Sequence, residues 1–194
     1  MKSSYLRASA ALACTLALSA CGGSDGELLL GGAFTGVTKT GLVLTNGDQR
    51  FEVPASTAGN GTGTFYFNDL VGTDDDYEVK VAGIPDNVSG CEVVNGKGRA
   101  AFNITNVVVN CTFKTHALGG SVANLKGELV LVNGADRVAV AAGATSFAMA
   151  PVAEDAVYGI AILQQPANQT CTIASAGGTM GKNDIANVSV SCAP

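Results

Sequence analysis

The chain has 194 residues, a formal net charge of −5 and no tryptophan. It carries no basic run, so it lacks the positive footprint that phosphate-backbone binding requires, and nucleic acid is excluded as a partner. Its length suits one ordinary domain or two small ones. Reading from the start, Lys2 and Arg7 precede an apolar stretch of Ala and Leu over residues 8–20. About 13 residues are too few to cross a bilayer, so residues 1–20 read as a secretory signal.

The signal ends in Leu18-Ser19-Ala20-Cys21. This ending resembles the bacterial lipobox, which implies diacylation of the Cys21 thiol and cleavage just before it. Residues 21–29 then form the lipidated start and a flexible tether, with Gly22, Gly23, Ser24, Asp25 and Gly26 supplying the polar spacer. Gly22 stands where an Asp commonly retains such proteins at the inner membrane, so the resemblance implies an outer-membrane position in a bacterial cell envelope. Removing residues 1–20 takes away Lys2 and Arg7 and no acid, leaving 9 basic and 16 acidic residues and a net charge of −7. Such a body is not drawn to an anionic lipid surface. The acyl chains on Cys21 are its expected link to the membrane.

Beyond the tether, short alternating runs rich in Val, Thr, Ala and Gly follow one another, and no window shows a convincing helical period. Strands are expected near 31–37, 41–46, 48–53, 64–68, 77–82, 90–94 and 104–112. A second series is expected near 119–124, 128–132, 136–141, 145–149, 157–163, 169–174 and 185–192. Asn46-Gly47 and Asn133-Gly134 fall between paired runs, as tight hairpins require. The two series repeat one pattern. Each has a Gly-Gly start (Gly31-Gly32, Gly119-Gly120), an aliphatic run before Asn-Gly, and a Tyr (Tyr77, Tyr158) followed by Pro and two cysteines. This repetition divides the chain into domains at 30–114 and 118–194, with a short linker around 115–118.

Residues two apart on a strand share a face. Tyr77, Val79 and Val81 share one, as do Tyr158, Ile160 and Ile162; Val107, Val109 and Cys111 match Val188, Val190 and Cys192. All four mature cysteines besides Cys21 therefore lie on faces that read as core. An even number in an exported chain points to disulfides. Of the three possible pairings, repetition favours Cys91–Cys111 and Cys171–Cys192. Zinc is disfavoured, because no close Cys pair and no His partner is present. The Tyr-to-Cys stretches thus read as the clasp of each half.

Candidates for chemistry are few. His116, the single histidine, falls in the expected linker and reads as exposed, with no partner for a triad or metal site. Asp74, Asp75 and Asp76, with Asp69 and Asn68 upstream, form the one dense carboxylate cluster; a solvated turn is the better reading than a calcium loop. Gly59-Asn60-Gly61-Thr62-Gly63 precedes a strand rather than a helix and reads as a connection, not a phosphate cradle. Tyr66 is the one ring expected to point outward, thin support for sugar stacking. No catalytic residue, cofactor or metal is expected.

The Gly-Gly start, the Gly-Leu-Val-Leu-Thr-Asn-Gly run of residues 41–47 and the Tyr-to-Cys-to-Cys ending resemble an immunoglobulin-like β-sandwich repeat of exported and cell-surface bacterial proteins. The resemblance covers nearly all of residues 30–193 in two copies. The first copy departs from it at the longer loop 55–64 and at the acidic turn 73–76. It implies an all-β fold of two tandem immunoglobulin-like sandwiches acting as a protein-interaction, adhesion or structural module. The alternative is a module for carbohydrate or envelope polymer. Function is expected in the loops that differ between copies, 55–64 and 72–76.

Overall fold

The computed structural model describes residues 26–193. The signal at 1–20 and the acylation of Cys21 lie outside the described residues.

The first half contains β1 (Glu27–Leu28), β2 (Leu30–Thr35), β3 (Val43–Asn46), β4 (Gln49–Glu52), β5 (Gly63–Tyr66), β6 (Val71–Gly72), β7 (Asp76–Gly83), β8 (Val88–Val94), β9 (Lys97–Arg99) and β10 (Ile104–Phe113). The second contains β11 (Thr115–Ala123), β12 (Leu129–Asn133), β13 (Asp136–Val140), β14 (Ser146–Ala153), β15 (Val157–Gln164), β16 (Thr170–Ala174), β17 (Gly177–Thr179) and β18 (Ile185–Ala193). Each half stacks two four-stranded sheets, ordered β5-β2-β10-β8 over β4-β3-β7-β9 and β14-β11-β18-β16 over β13-β12-β15-β17. The described chain is therefore all-β, two tandem immunoglobulin-like sandwiches.

Alternation builds both interiors. Leu30 and Phe34 from β2, Val107 and Val109 from β10, and Leu44 and Val79 from the facing sheet close the first core. Leu118, Val188, Val190, Leu131 and Ile160 do the same in the second. The two cores share no residue. Within each, the first and last long strands run parallel: β2 beside β10 and β11 beside β18. The paired glycines are explained by that contact. A Cβ at Gly32 would collide with the Val107 carbonyl, and one at Gly120 with the Val188 carbonyl. Only glycine lets the strands approach so closely.

Cys91 faces Cys111 across β8 and β10, and Cys171 faces Cys192 across β16 and β18; both pairs are disulfide-bonded. Each cystine lies within one sheet and fastens an edge strand to its neighbour, rather than joining the two sheets. Cys171, Cys111 and Cys192 are buried, while Cys91, on an edge, is half-buried.

Three further differences have physical causes. The stretch 115–118, expected as a linker, is the start of β11, pairing Thr115 with Ala153. Only Lys114 lies between β10 and β11. The end of the expected tether, Glu27 and Leu28, pairs with Gly72 and Val71. Finally, β9 and β17 lie where no strand was expected. Gly98 lies opposite Tyr77, and Gly178 opposite Tyr158. A Cβ there would sit 2.9 Å from the Tyr77 hydroxyl and 3.1 Å from that of Tyr158. The repeated tyrosine covers a glycine across the strand pair, which accounts for both residue types.

Candidate functional site

The repeat allows the ends of the two sandwiches to be compared atom by atom. In the first, the amide of Thr73 donates to Gly26 O, that of Asp74 to Ala100 O and that of Asp75 to Gly72 O. In the second, the amides of Glu154, Asp155 and Ala156 donate to Lys114 O, Met180 O and Ala153 O. Asp74 and Asp155 both hold a left-handed backbone, with φ of 70° and 67°. The amide of Leu29 donates to Asn103 Oδ1 as that of Ala117 donates to Asp184 Oδ1. Residues 72–75 and 153–156 are therefore one turn used twice. In the second sandwich it docks on the first. In the first sandwich it lies at the opposite end, where the chain enters.

The junction is polar. Lys39 Nζ lies 2.6 Å from Asp155 Oδ2 and Lys182 Nζ lies 3.8 Å from Asp86 Oδ2. His116 is not an exposed linker residue. Its side chain is only 18 % exposed, with Nε2 3.5 Å from Glu154 Oε2 and Nδ1 4.0 Å from Asp184 Oδ1. Glu154 is buried and its Oε1 has no hydrogen-bond partner among the described residues. A cavity of about 170 Å³ is lined by Thr38, Gly59 and Phe113 on one side and by Glu154, Asp155 and Ala156 on the other.

The loop 55–64, expected as a free binding loop, belongs to this junction. Val37 N donates to Gly61 O, Gly36 N to Asn60 O, and Ser56 N to Val37 O, pinning it to the strand end beside the cavity. Its Gly59 lines the cavity opposite the second sandwich.

The Asp155 carboxylate, hydrogen-bonded to Lys39, holds that ammonium above its ordinary value of 10.5. A group whose folded value is raised contributes fully below its unfolded value and loses the contribution as pH rises through the folded one. The contribution of this pair is therefore expected to be kept from pH 7 to pH 9 and to be lost only as pH rises above about 10.5. Lys39→Met should widen interdomain motion at neutral pH, read as diverging tumbling times in ¹⁵N relaxation; unchanged tumbling would remove this pair from the junction.

The outer faces of the two sandwiches also differ. On β7 the outward positions are Asp76, Glu78, Lys80 and Ala82; on β15 the matching ones are Val157, Gly159, Ala161 and Leu163. In the first sandwich Asp76 lies opposite Arg99 and Glu78 opposite Lys97. Lys80 Nζ lies 2.7 Å and Lys97 Nζ 3.4 Å from the Glu78 carboxylate, and the Lys80 hydrogen bond holds that carboxyl below the usual range. A cleft of about 570 Å³ lies over Thr45, Asn46, Glu78, Lys80, Lys97 and Arg99. In the second sandwich the charges on this strand are gone, while Arg137 on β13 stays exposed on the same face. Val157 is 79 % and Leu163 55 % exposed.

The remaining expected positions do not converge. Asp74 is engaged by Arg99, whose Nε donates to Asp74 O at 2.8 Å and lies 3.4 Å from Oδ1. Asp75 packs over Gly72, and Asp76 is on β7. Among the described residues no three of His, Cys, Asp and Glu gather as a metal-binding group. Tyr66 is 45 % exposed, but its ring lies over Gly31. The difference between the outer faces was readable by aligning the copies on Tyr77 and Tyr158, had outward as well as inward parity been compared.

No protein-family model and no curated protein sequence matches the chain. Solved structures that match include the Bacillus anthracis TIE protein, at 13% identity and a TM-score of 0.40, covering 86% of this chain and 35% of that one. The chain thus spans about a third of that protein's length. A C-terminal fragment of the pilus adhesin SpaC from Lactobacillus rhamnosus GG matches at 11% identity and 0.36, covering 84% and 95%. The major pilin T-13 of Streptococcus pyogenes matches at 11% and 0.34, covering 87% and 96%. These likenesses are distant and assign the chain no ligand.

Proposed function

We propose that the protein is a non-enzymatic, lipid-anchored envelope protein whose second sandwich presents an interaction surface to a protein partner. The observation that carries this reading is the outer face of β15. At four matched positions the first sandwich has Asp, Glu, Lys and Ala, and the second has Val, Gly, Ala and Leu. Exposed apolar side chains gathered on one sheet face mark contact surfaces, whereas a charged ladder keeps a face in water. The first sandwich then acts as the spacer between that face and the acyl chains on Cys21, with the outer membrane as the expected site of anchoring.

A photo-reactive group at Val157 or Leu163 should capture a protein partner in cells, and the double substitution Val157→Asp and Leu163→Asp should abolish capture. That variant should remain in the membrane fraction, from which Cys21→Ser releases the protein. Capture that survives both aspartates would move the interface elsewhere. The second reading, binding of carbohydrate or envelope polymer, is favoured by the charged cleft over Glu78, Lys80 and Lys97. Retention on purified envelope polysaccharide, without a captured protein, is the outcome that would select it.

A further inference from the structure

The first sandwich has two ends, and only the one at Lys39 is covered by its neighbour. The other is the counterpart of the end by which the second sandwich docks, yet among the described residues nothing covers it. Three large apolar side chains are exposed there: Leu29 at 42 %, Leu70 at 40 % and Phe102 at 76 %. The backbone brings them together. Leu28 pairs with Val71, so Leu29 and Leu70 are the next opposed positions. Leu29 also bonds Asn103 Oδ1 through its amide and the Ile104 amide through its carbonyl, beside Phe102. At the matching places in the second sandwich stand Ala117, Pro151 and Asn183. The end that docks on protein is thus the less apolar of the two, and the open end the more apolar. Plain exposure to water would favour the reverse.

We propose that this open end rests in the interfacial layer of a zwitterionic lipid surface, with Leu29, Leu70 and Phe102 as its contacts. The proposal rests on the acylation of Cys21 inferred above. Chain length names the occupant. Cys21 and Gly26 are five residues apart, a reach of at most about 17 Å when fully extended. The end bearing Phe102 is therefore held close beneath whatever layer takes the acyl chains. A tether this short makes the contact intramolecular, so weakly partitioning side chains suffice to hold it. Charge selects the lipid. Glu27 lies on β1 and Asp74 and Asp75 in the turn after β6, with Asp69 next to Leu70 in the chain and Arg99 as the opposing cation. An anionic surface would repel this rim.

The absence of tryptophan makes the test direct. Phe102→Trp and, as a control on the second sandwich, Val157→Trp each place one reporter at an already exposed position. The acylated full-length protein is added to phosphatidylcholine vesicles with brominated acyl chains. The tryptophan at 102 is expected to shift to the blue and lose emission, that at 157 to do neither, and mixed phosphatidylcholine–phosphatidylglycerol vesicles to quench less. If the protein floats with the vesicles while both reporters stay unquenched, the contact is overturned and the anchor stands. If it fails to float, the anchor reading falls and the contact with it. A blue shift at 102 without lipid, accompanied by a concentration-dependent rise in mass, would assign the end to a second copy and overturn the proposal. Equal quenching on anionic vesicles would overturn the choice of lipid.

Discussion

Replacing Cys91 and Cys111 together by alanine should lower the melting temperature of the first sandwich and leave the second unchanged. The bond closes a loop of 20 residues, and the second bond one of 21. In the chain-entropy account a loop of that size contributes about 3 kcal/mol by narrowing the unfolded ensemble. For a domain of this size about 1 kcal/mol moves the midpoint by roughly 4–8 °C, so a fall of about 12–24 °C is expected. The stability available is only roughly 5–15 kcal/mol, so the loss is severe. Removing Cys171 and Cys192 should do the same to the second sandwich, and more strongly. Both of those are 3 % exposed, whereas Cys91 is half-buried, so the second cystine also fills core volume. Calorimetry that resolves two transitions reads each bond separately. A joint shift of both transitions would show that the sandwiches do not melt independently.

Gly120→Ala should destabilise the second sandwich, and Gly32→Ala the first, at or beyond the upper end of the about 1–3 kcal/mol typical of overpacking. A methyl group at either place meets a backbone carbonyl, which cannot swing aside as a side chain would. Relief requires the first strand to leave the last, and with it the parallel ladder at the middle of the sheet. Gly90→Ala is the comparison. It too lies on a strand, but its Cβ would meet nothing within 4 Å. There the change should be neutral or stabilising, by up to about 1 kcal/mol, through the unfolded chain. Denaturant midpoints measure all three, and equal midpoints of the first sandwich in Gly90→Ala and Gly32→Ala would refute the close-approach account.

Strands with alternating side chains were legible because burial on one face imposes a period of two. Val107, Val109, Val188 and Val190 all reach 0 % exposure where parity turns them inward. Lys97-Gly98-Arg99 and Gly177-Gly178-Thr179 carry no such alternation, since the tyrosine across the pair supplies their cover. The stretch 115–118 read as a linker because it falls between the two copies of the repeat, and only the pairing of β11 with β14 brings Glu154 to His116. The junction itself was invisible for the same reason. Lys39, Asp86, Asp155 and Lys182 are distant in the chain and belong to no motif, so only the fold brings them together. The loop 55–64 was noticed as a departure between copies, but its place beside the second sandwich follows only from the fold.

The parallel pairing of β2 with β10 has a mechanical consequence. The chain enters β2 beside the tether and leaves β10 through Lys114 toward the second sandwich, at the opposite end. Were the start anchored and the second sandwich gripped, tension would pull these two neighbours past each other along their length. Their hydrogen bonds then lie across the pull and are strained together rather than peeled one at a time. Should the ladder fail, the bond between Cys91 and Cys111 keeps the chain between them from unravelling. Under such a load the molecule would hold nearly constant length while the ladder stands.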